Sequence, residues 1–378
     1  MSTQKLSLKT WVEINRGAVR HNFRILKALL KPKTKIFAVV KSNAYGHGIF
    51  DFTKIVDSLG VYGFCVDSVI EAEKLRRERI KRPILVLGPT LPDLLNVVVN
   101  NDVTITISTW EALRALRQSK CKPSFHIKID TGMRRQGFYV SDLPKVVEFL
   151  KSDGKNLKTK LVGVYTHFAS AKDLNYPTFT DLQFHDFNKG VEILVEAGYK
   201  NLLRHAAATG GALVSDEYNL DAVRLGIGLY GLWPSKELEV QRKHEINLKP
   251  VLSWHALISE VKELAAGDYV GYDLVERVYE NKKMAVVPIG YWHGFPRALS
   301  SVGEVLISGQ RARVLGRVSM DLIVVDVTGI RCKAGDKATI IGRQREAEIS
   351  SYELAQKTNT SHYEIVTRIN PLIERIIK

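Results

Sequence analysis

A lysine at the end of an apolar run is the first residue of this chain that could do covalent chemistry. In KIFAVVKSNAYGHG, residues 35–48, the run IFAVV leads to Lys41, and Tyr45 and two glycines follow. A strand buried on both faces would desolvate a lysine at its end, which favours the neutral, nucleophilic amine. A lysine at a strand end can equally extend its amine into solvent, so this residue alone leaves both interpretations open.

Further polar residues follow a series of similar runs. Eight β-type runs alternate with amphipathic segments: KIFAVV, GVYGFCV, RPILVLG, VTITIS, SFHIKID, KLVGVYTHF, NLLRHAA and AVRLGIG. This spacing is typical of βαβ units with right-handed crossovers, and eight of them predict a (β/α)8 TIM-type barrel. Such a barrel carries its chemistry at the carboxyl ends of its strands.

The residues at these strand ends indicate a cofactor with an aldehyde and a phosphate. They are Lys41 and Tyr45 after the first strand, Asp130 and Arg135 after the fifth, His167 at the end of the sixth, His205 and Thr209 after the seventh, and Arg224 in the eighth. The lysine would form an imine, and glycine-rich turns after the last strands would hold the phosphate. GIGLYG, residues 226–231, fits GxGxxG, but it runs into Trp233 and Pro234 instead of a helix. It therefore predicts a phosphate held by backbone amides rather than a dinucleotide site.

The alternation of strand-like and helical segments ends after Pro234, and a second domain is predicted beyond it. From about Pro250 the runs VLSWHALISEV, KMAVVPIG, GEVLISG, ARVLGRVS, DLIVVDVT and KATIIG are separated by glycine-containing turns, with one late helical stretch, SSYELAQKT. This pattern is typical of a mostly antiparallel β domain. We expect the barrel over residues 15–243 and the β domain over residues 244–378. An N-terminal strand within residues 1–14 is expected to belong to the β domain.

Composition excludes several classes of partner. The chain has 378 residues, 45% of them hydrophobic, and a net charge of +15. Its basic residues are spread over helical segments such as EAEKLRRERIKR rather than gathered with aromatics, so no nucleic-acid partner is predicted. Three cysteines without a CxxC motif indicate neither a metal site nor a disulfide framework. No apolar run reaches the ~18 residues of a membrane span, and a cytoplasmic protein is expected.

The motifs together resemble a known family over nearly the whole chain. AVVKSNAYGHG, KIDTGMRRQGF, THFA, RHAAATGGAL, AVRLGIGLYG, VGYD, VPIGYWHG, GRVSMD and NTSHYEIVTRI occur in the order of the alanine racemases. The resemblance implies pyridoxal 5'-phosphate as cofactor and interconversion of L- and D-alanine, supplying D-alanine for peptidoglycan. It also implies a homodimer with active sites shared between subunits.

The resemblance assigns roles residue by residue. Lys41 would carry the cofactor as an imine and serve one face of the substrate, and Tyr272 in VGYD would serve the opposite face from the partner subunit. The other matches are Tyr45, Thr209, Gly226 and Ile227 at the phosphate, His167 and Arg224 at the pyridine ring, Arg135 and the backbone of Met320 at the substrate carboxylate, and Lys128, which can be carbamylated to hold that arginine. A racemase needs two such proton-handling groups, since one base alone would only exchange the proton.

Some positions depart from the family pattern. They are Ala208 before Thr209, where asparagine is usual; Arg134 before Arg135, where glycine is usual; Trp292 and His293 in GYWHG, at the mouth of the site; and Pro371, where a phosphate-touching tyrosine is expected. They bear on cofactor affinity and side-chain selectivity. A racemase of another small amino acid, a barrel-type decarboxylase and a non-catalytic cofactor carrier remain alternatives. His167 and His205 could also be core histidines bonded to each other.

Overall fold

The computed structural model describes residues 8–153 and 155–378, which form two compact units. One unit comprises residues 18–44 and 49–249. The other comprises the described residues up to Gly17, the short segment Tyr45–Gly48, and Pro250–Lys378. The N-terminal strand expected within residues 1–14 falls in part on residues 1–7, which lie outside the described residues. Among the described residues, no helix combines the length and the apolar character needed to cross a membrane.

The first unit is a parallel barrel, which confirms the predicted fold. Its strands are β2 Lys35–Val39, β3 Gly63–Val66, β4 Ile84–Val86, β5 Thr104–Ile107, β6 Phe125–Lys128, β7 Leu161–Tyr165, β8 Leu203–His205 and β9 Ala222–Leu225. They pair in the order β8-β7-β6-β5-β4-β3-β2-β9. The backbone bond from Arg224 N in β9 to the carbonyl oxygen of Ala207, two residues after β8, 2.9 Å, closes the barrel. All eight predicted runs therefore form strands.

Helices follow the strands of this unit. They are α1 Arg16–Ala28, which begins in the other unit, α2 Ile49–Asp57, α3 Val69–Arg77, α4 Leu95–Asn100, α5 Trp110–Gln118, α6 Leu143–Ser152, α7 Lys155–Lys158, α8 Thr178–Glu196, α9 Thr209–Val214 and α10 Lys236–Arg242. Helix α5 begins where Thr109 accepts a hydrogen bond from the Ala112 amide, 3.2 Å, as an N-cap. Leu113 and Leu116 are buried on one face of it, as its apolar spacing predicts.

The second unit is built on one large, mostly antiparallel sheet, as predicted. Its strands are β1 Thr10–Ile14, β10 Leu252–Leu257, β11 Glu260–Leu264, β14 Lys282–Val287, β15 Glu304–Ile307, β16 Gln310–Leu315, β17 Ile323–Asp326, β18 Lys337–Gln344, β19 Ala347–Ile349 and β20 Glu374–Ile377; β12 Tyr269–Val270 and β13 Glu276–Arg277 form a separate pair. Strand β1 lies between β10, to which it is antiparallel, and β20, to which it is parallel.

Two details of this unit differ from the sequence analysis. The run VLSWHALISEV is not one strand, because it divides into β10 and β11. Beside the expected helix α11 Ser351–Lys357, a second helix, α12 His362–Thr367, forms in the NTSHYE segment. Both helices begin at serine N-caps, Ser350 and Ser361, whose hydroxyls accept backbone amide hydrogens.

Candidate active site

Lys41 lies at the start of a left-handed turn that directly follows strand β2. Ser42, Asn43, Ala44 and Tyr45 all have φ between 52° and 55°, a region that residues with a Cβ rarely adopt. The Ser42 amide donates to the carboxylate of Glu71, 2.7 Å, which helps to hold the turn. Of the two interpretations that the sequence left open for Lys41, solvent exposure describes this chain alone: the side chain is 37% exposed, with Nζ 3.9 Å from the Asp67 carboxylate.

Arg224 forms the centre of a buried polar cluster in the barrel. It is 2% exposed, and its Nη2 donates to the carbonyls of Thr166, 2.7 Å, and Ala206, 2.8 Å. The same atom donates to Nδ1 of His167, 3.2 Å, while Nη1 donates to Nδ1 of His205, 2.6 Å. The sequence allowed a hydrogen bond between His167 and His205. In the structure each of these two histidines instead bonds to Arg224.

The electrostatics of this cluster keep its histidines neutral. Burial lowers the pKa of His167 well below its usual value, and the positive charge of Arg224 lowers it further. Burial and Arg224 act in the same way on the pKa of His205. Because Arg224 occupies Nδ1 of His167, the neutral ring carries its hydrogen on Nε2. Arg224 is then the cation of the cluster, and His167 offers an N–H donor.

Lys128 and Arg135 differ sharply in burial. Lys128, on β6, is 5% exposed, and burial lowers the pKa of its amine to about 8, with the positive charge of Arg135 acting in the same direction. Its Nζ lies 3.4 Å from the Gln136 side-chain oxygen. Arg135 itself is exposed. Arg134 has a φ of 54°, and its amide donates to Asp130, 3.0 Å, so the usual glycine has been replaced where left-handed backbone is required.

Three of the four residues predicted at the phosphate are brought together by the last two strands. Thr209 opens helix α9 after β8, while Gly226 and Ile227 follow β9. The Thr209 hydroxyl accepts from the amides of Gly226, 3.0 Å, and Gly228, 3.4 Å. Ala208, the N-cap residue, gives α9 no side-chain cap. Helix geometry leaves the first N–H groups of α9 without intrahelical acceptors, so they are open to an anionic group.

A tyrosine that the sequence analysis missed lies beside Tyr45. The Tyr45 and Tyr363 rings have centroids 6.1 Å apart, and burial raises the pKa of the Tyr363 phenol. Gly46, with φ 81°, allows this approach, because a Cβ there would lie 1.9 Å from the Val366 carbonyl oxygen. Helix α12 thus places a second phenol beside Tyr45, in the same C-terminal segment as Pro371.

The other predicted residues of the β unit are exposed. Tyr272, in the turn between β12 and β13, is 67% exposed, and Met320 is 54% exposed. The Met320 carbonyl accepts from the Trp292 amide, 3.0 Å, and its N–H makes no hydrogen bond with any residue that the structure describes. His293, which the sequence analysis expected at the mouth of the site, is buried, and its Nδ1 accepts from the Gly290 amide, 3.2 Å.

His126 is a second residue of the cluster that the sequence analysis missed. It shares strand β6 with Lys128, two positions away, so both side chains lie on one face of the strand. Its Nδ1 is 2.8 Å from Nε2 of His205. The signal was present in FHIK, where two basic side chains alternate with apolar ones in a buried strand.

The fold and these residues together define the class of barrel-type pyridoxal-phosphate enzymes. Residues 14–234 match the N-terminal domain model of alanine racemase, and residues 251–377 match the C-terminal domain model. The chain therefore belongs to the alanine racemase family, which is a family of pyridoxal-phosphate-dependent isomerases.

Similar proteins match over nearly their full length. An alanine racemase of Leptospira interrogans is 35% identical over 383 residues, covering 100% of this chain and 97% of the relative. That of Carboxydothermus hydrogenoformans is 37% identical over 372 residues, covering 97% and 98%. The crystal structure of the Bacillus anthracis alanine racemase with bound L-Ala-P superposes with a TM-score of 0.92 at 34% identity, covering 99% of this chain and 96% of that chain.

Proposed function

We propose that this protein interconverts L- and D-alanine in the cytoplasm as a homodimer and supplies D-alanine for peptidoglycan synthesis. Residues 15–243 would carry the cofactor, and residues 244–378, with the N-terminal strand, would form the second domain. The observation that carries the proposal is the buried Arg224, bonded to a neutral His167 at the same barrel end as Lys41. The free thiol of Cys65 agrees with a reducing compartment.

The residues present fit pyridoxal phosphate. The open amides at the start of α9, together with Thr209 and the turn at Gly226 and Ile227, would hold a phosphate, because backbone N–H groups at a helix start favour anions. Tyr45 would add a phenol. His167 and Arg224 would face the ring, and the Lys41 amine would attach the cofactor. All these groups donate hydrogen bonds or react as nucleophiles, as an aldehyde with an anionic tail requires.

When bound, the cofactor withdraws electrons from the amino acid attached to it and so acidifies the α-proton. The Lys41 amine would remove or return this proton at Nζ on one face. The phenol oxygen of Tyr272, from the second copy of the chain, would do the same on the other face. Free lysine and tyrosine both titrate near ~10, so cationic neighbours or burial in the assembly must shift them for work near neutral pH.

Arg224 would restrain the reaction to racemisation. A guanidinium only donates hydrogen bonds and keeps its proton at neutral pH, so it can bond an unprotonated ring nitrogen without protonating it. Less electron density then moves into the ring, which disfavours the protonation elsewhere that leads to transamination. Arg135 and the Met320 N–H would orient the substrate carboxylate, since both donate hydrogen bonds and the guanidinium adds a positive charge.

Exposure in the β unit supports the homodimer. Two predicted site residues, Tyr272 and Met320, are 67% and 54% exposed, and a site that moves protons works best when water is excluded. Neighbouring apolar side chains are exposed as well: Leu274 is 64% and Leu322 45% exposed. A second copy that covers this surface would complete a site on each subunit.

A single incubation tests the reaction. With the holoenzyme and L-alanine in heavy water, we expect D-alanine deuterated at the α-carbon, with no loss of carbon dioxide. Borohydride reduction followed by peptide mapping should label Lys41. Release of carbon dioxide, faster turnover of another amino acid, or a label on another lysine would overturn the assignment.

A further inference from the structure

Two buried histidines continue the hydrogen bonding of Arg224 into the barrel. Nη1 of Arg224 is 2.6 Å from Nδ1 of His205, and Nε2 of His205 is 2.8 Å from Nδ1 of His126. Arg224, His205 and His126 are 2%, 0% and 4% exposed. The chain therefore runs through the interior of the barrel, where water does not compete for its hydrogen bonds.

The donors and acceptors of this chain follow from the guanidinium. Arginine has only donors, so Nδ1 of His205 must be an unprotonated acceptor. The hydrogen of the neutral His205 ring then lies on Nε2, which donates to His126. Nδ1 of His126 is in turn an acceptor, and its hydrogen lies on Nε2. Each ring then carries its hydrogen on Nε2, and both hydrogen bonds form only when the two rings have this tautomer together.

We propose that His126 is a positioning residue that holds His205 in the Nε2–H tautomer and so keeps the Arg224 guanidinium oriented for the cofactor ring. The expected effect on kcat rests on the proposed function, whereas the tautomers of the two histidines do not. With the other tautomer, His205 would turn an N–H toward an arginine N–H, and Arg224 would lose the acceptor that fixes its Nη1. An acceptor that is neutral, rather than a carboxylate, leaves the positive charge of the guanidinium available to the site.

The surrounding residues hold both imidazoles in place. The Tyr165 ring stacks on His205, with centroids 4.8 Å apart and planes 6° apart, and its hydroxyl lies 3.0 Å from Thr106 Oγ1. His126 occupies the space left by Gly163, because a Cβ there would lie 2.5 Å from its Nε2. Neither ring is free to turn, so the hydrogen bonds, and not rotation, decide the tautomers.

Nitrogen NMR of the holoenzyme with 15N-labelled imidazoles tests the chain directly. The protein has ten histidines, so the variant His126→Asn is needed to assign the signals of the pair. We expect His126 and His205 each to show an unprotonated Nδ1 and a protonated Nε2, unchanged between pH 6 and pH 8. His205 protonated at Nδ1 in the wild type would overturn the proposal.

Two substitutions separate positioning from packing. His126→Phe keeps a ring but removes the acceptor; we expect an altered His205 signature and kcat lowered roughly ten- to a hundredfold, as for other residues that fix a histidine tautomer, with KM nearly constant. His126→Asn keeps an acceptor near the Nδ1 position and should restore both signature and kcat. His185→Phe, at an exposed site on α8, is the matched control and should change neither.

The outcomes distinguish the two proposals. An unchanged His205 signature and kcat in His126→Phe would overturn the positioning role. A wild-type protein with the stated tautomers but without racemisation of alanine would support the histidine chain and count against the proposed function.

Discussion

Replacing Gly163 with alanine would place a methyl group against the ring of His126. Gly163 lies in β7, next to β6, and the added Cβ would be 2.5 Å from both Cε1 and Nε2 of that ring and 2.7 Å from Cδ2. Carbon atoms pack at about 3.5–4.0 Å, so the ring must move by about 1 Å. The ring is buried in the closed barrel and hydrogen-bonded to His205, so the movement would strain or break that bond.

Two costs make up the expected effect. Overpacking of a well-packed core costs about 1–3 kcal/mol. Leaving the buried His205 N–H without its acceptor costs about 1–3 kcal/mol more. We therefore expect Gly163→Ala to lower the opening free energy of the surrounding strands by about 2–6 kcal/mol.

Hydrogen exchange of peptides from β6 and β7 measures this effect locally, which suits a chain of two units. Because asparagine is smaller than histidine, Gly163→Ala should cost at least about 1 kcal/mol less when combined with His126→Asn. The single variant His126→Asn is the control, because it gives the reference against which the double variant is compared. Equal costs in both backgrounds would show that the ring contact does not cause the loss, and the packing argument would be refuted.

Three further predictions concern the proposed site. Tyr272→Phe removes one phenol and should lower the rate of racemisation by roughly 10²–10⁴-fold while the absorption of the bound cofactor survives. The control Tyr279→Phe, at a side chain 85% exposed, should leave the rate unchanged. A fully active Tyr272→Phe would contradict the proposal that two groups serve opposite faces of the substrate. Lys128, with its pKa lowered to about 8, binds a proton in the unfolded but not the folded chain between pH 8 and 10.5, so its contribution to stability rises with pH in that window. Lys128→Met should thus stabilise the cofactor-free protein below pH 8 by on the order of 3 kcal/mol, a gain that thermal unfolding should show vanishing above pH 10.5. Ala208→Asn adds an N-cap to α9 and should raise the stability of the cofactor-free protein by about 0.5–2 kcal/mol, whereas an unchanged melting temperature would mean that those amides are already satisfied.

The barrel could be predicted because its signals are local. Each strand from β2 to β9 is a short apolar run, and amphipathic segments such as that of α5 separate the runs. The β unit was predictable for the same reason, but its details were not. The run VLSWHALISEV stays apolar through Ile258, which lies between the end of β10 and the start of β11, so nothing in its composition indicated two strands. Helix α12 is only six residues long, too short to produce a clear periodic pattern.

The site was only partly predictable, because burial and pairing depend on contacts that are distant in sequence. The carboxyl ends of the strands could be located from the apolar runs, and the residues found there included Lys41, His167 and Arg224. The partner of His205 was not, since His126 lies 79 positions away on a different strand. The exposure of Lys41 also could not be inferred, because it depends on what surrounds the strand end and not on the apolar run before it.

The left-handed turn after Lys41 limits which sequences can occupy this segment, independently of any chemistry. Four successive residues there adopt a backbone that side chains with a branched Cβ strongly resist, and each costs about 1–2 kcal/mol unless neighbouring contacts compensate. A related chain that had lost the lysine, and with it the reaction, would still need small or amide side chains in the next three positions to fold. A match to SNAYGHG therefore indicates the left-handed backbone of this turn. Only the lysine that precedes it indicates that the chain can carry out the reaction.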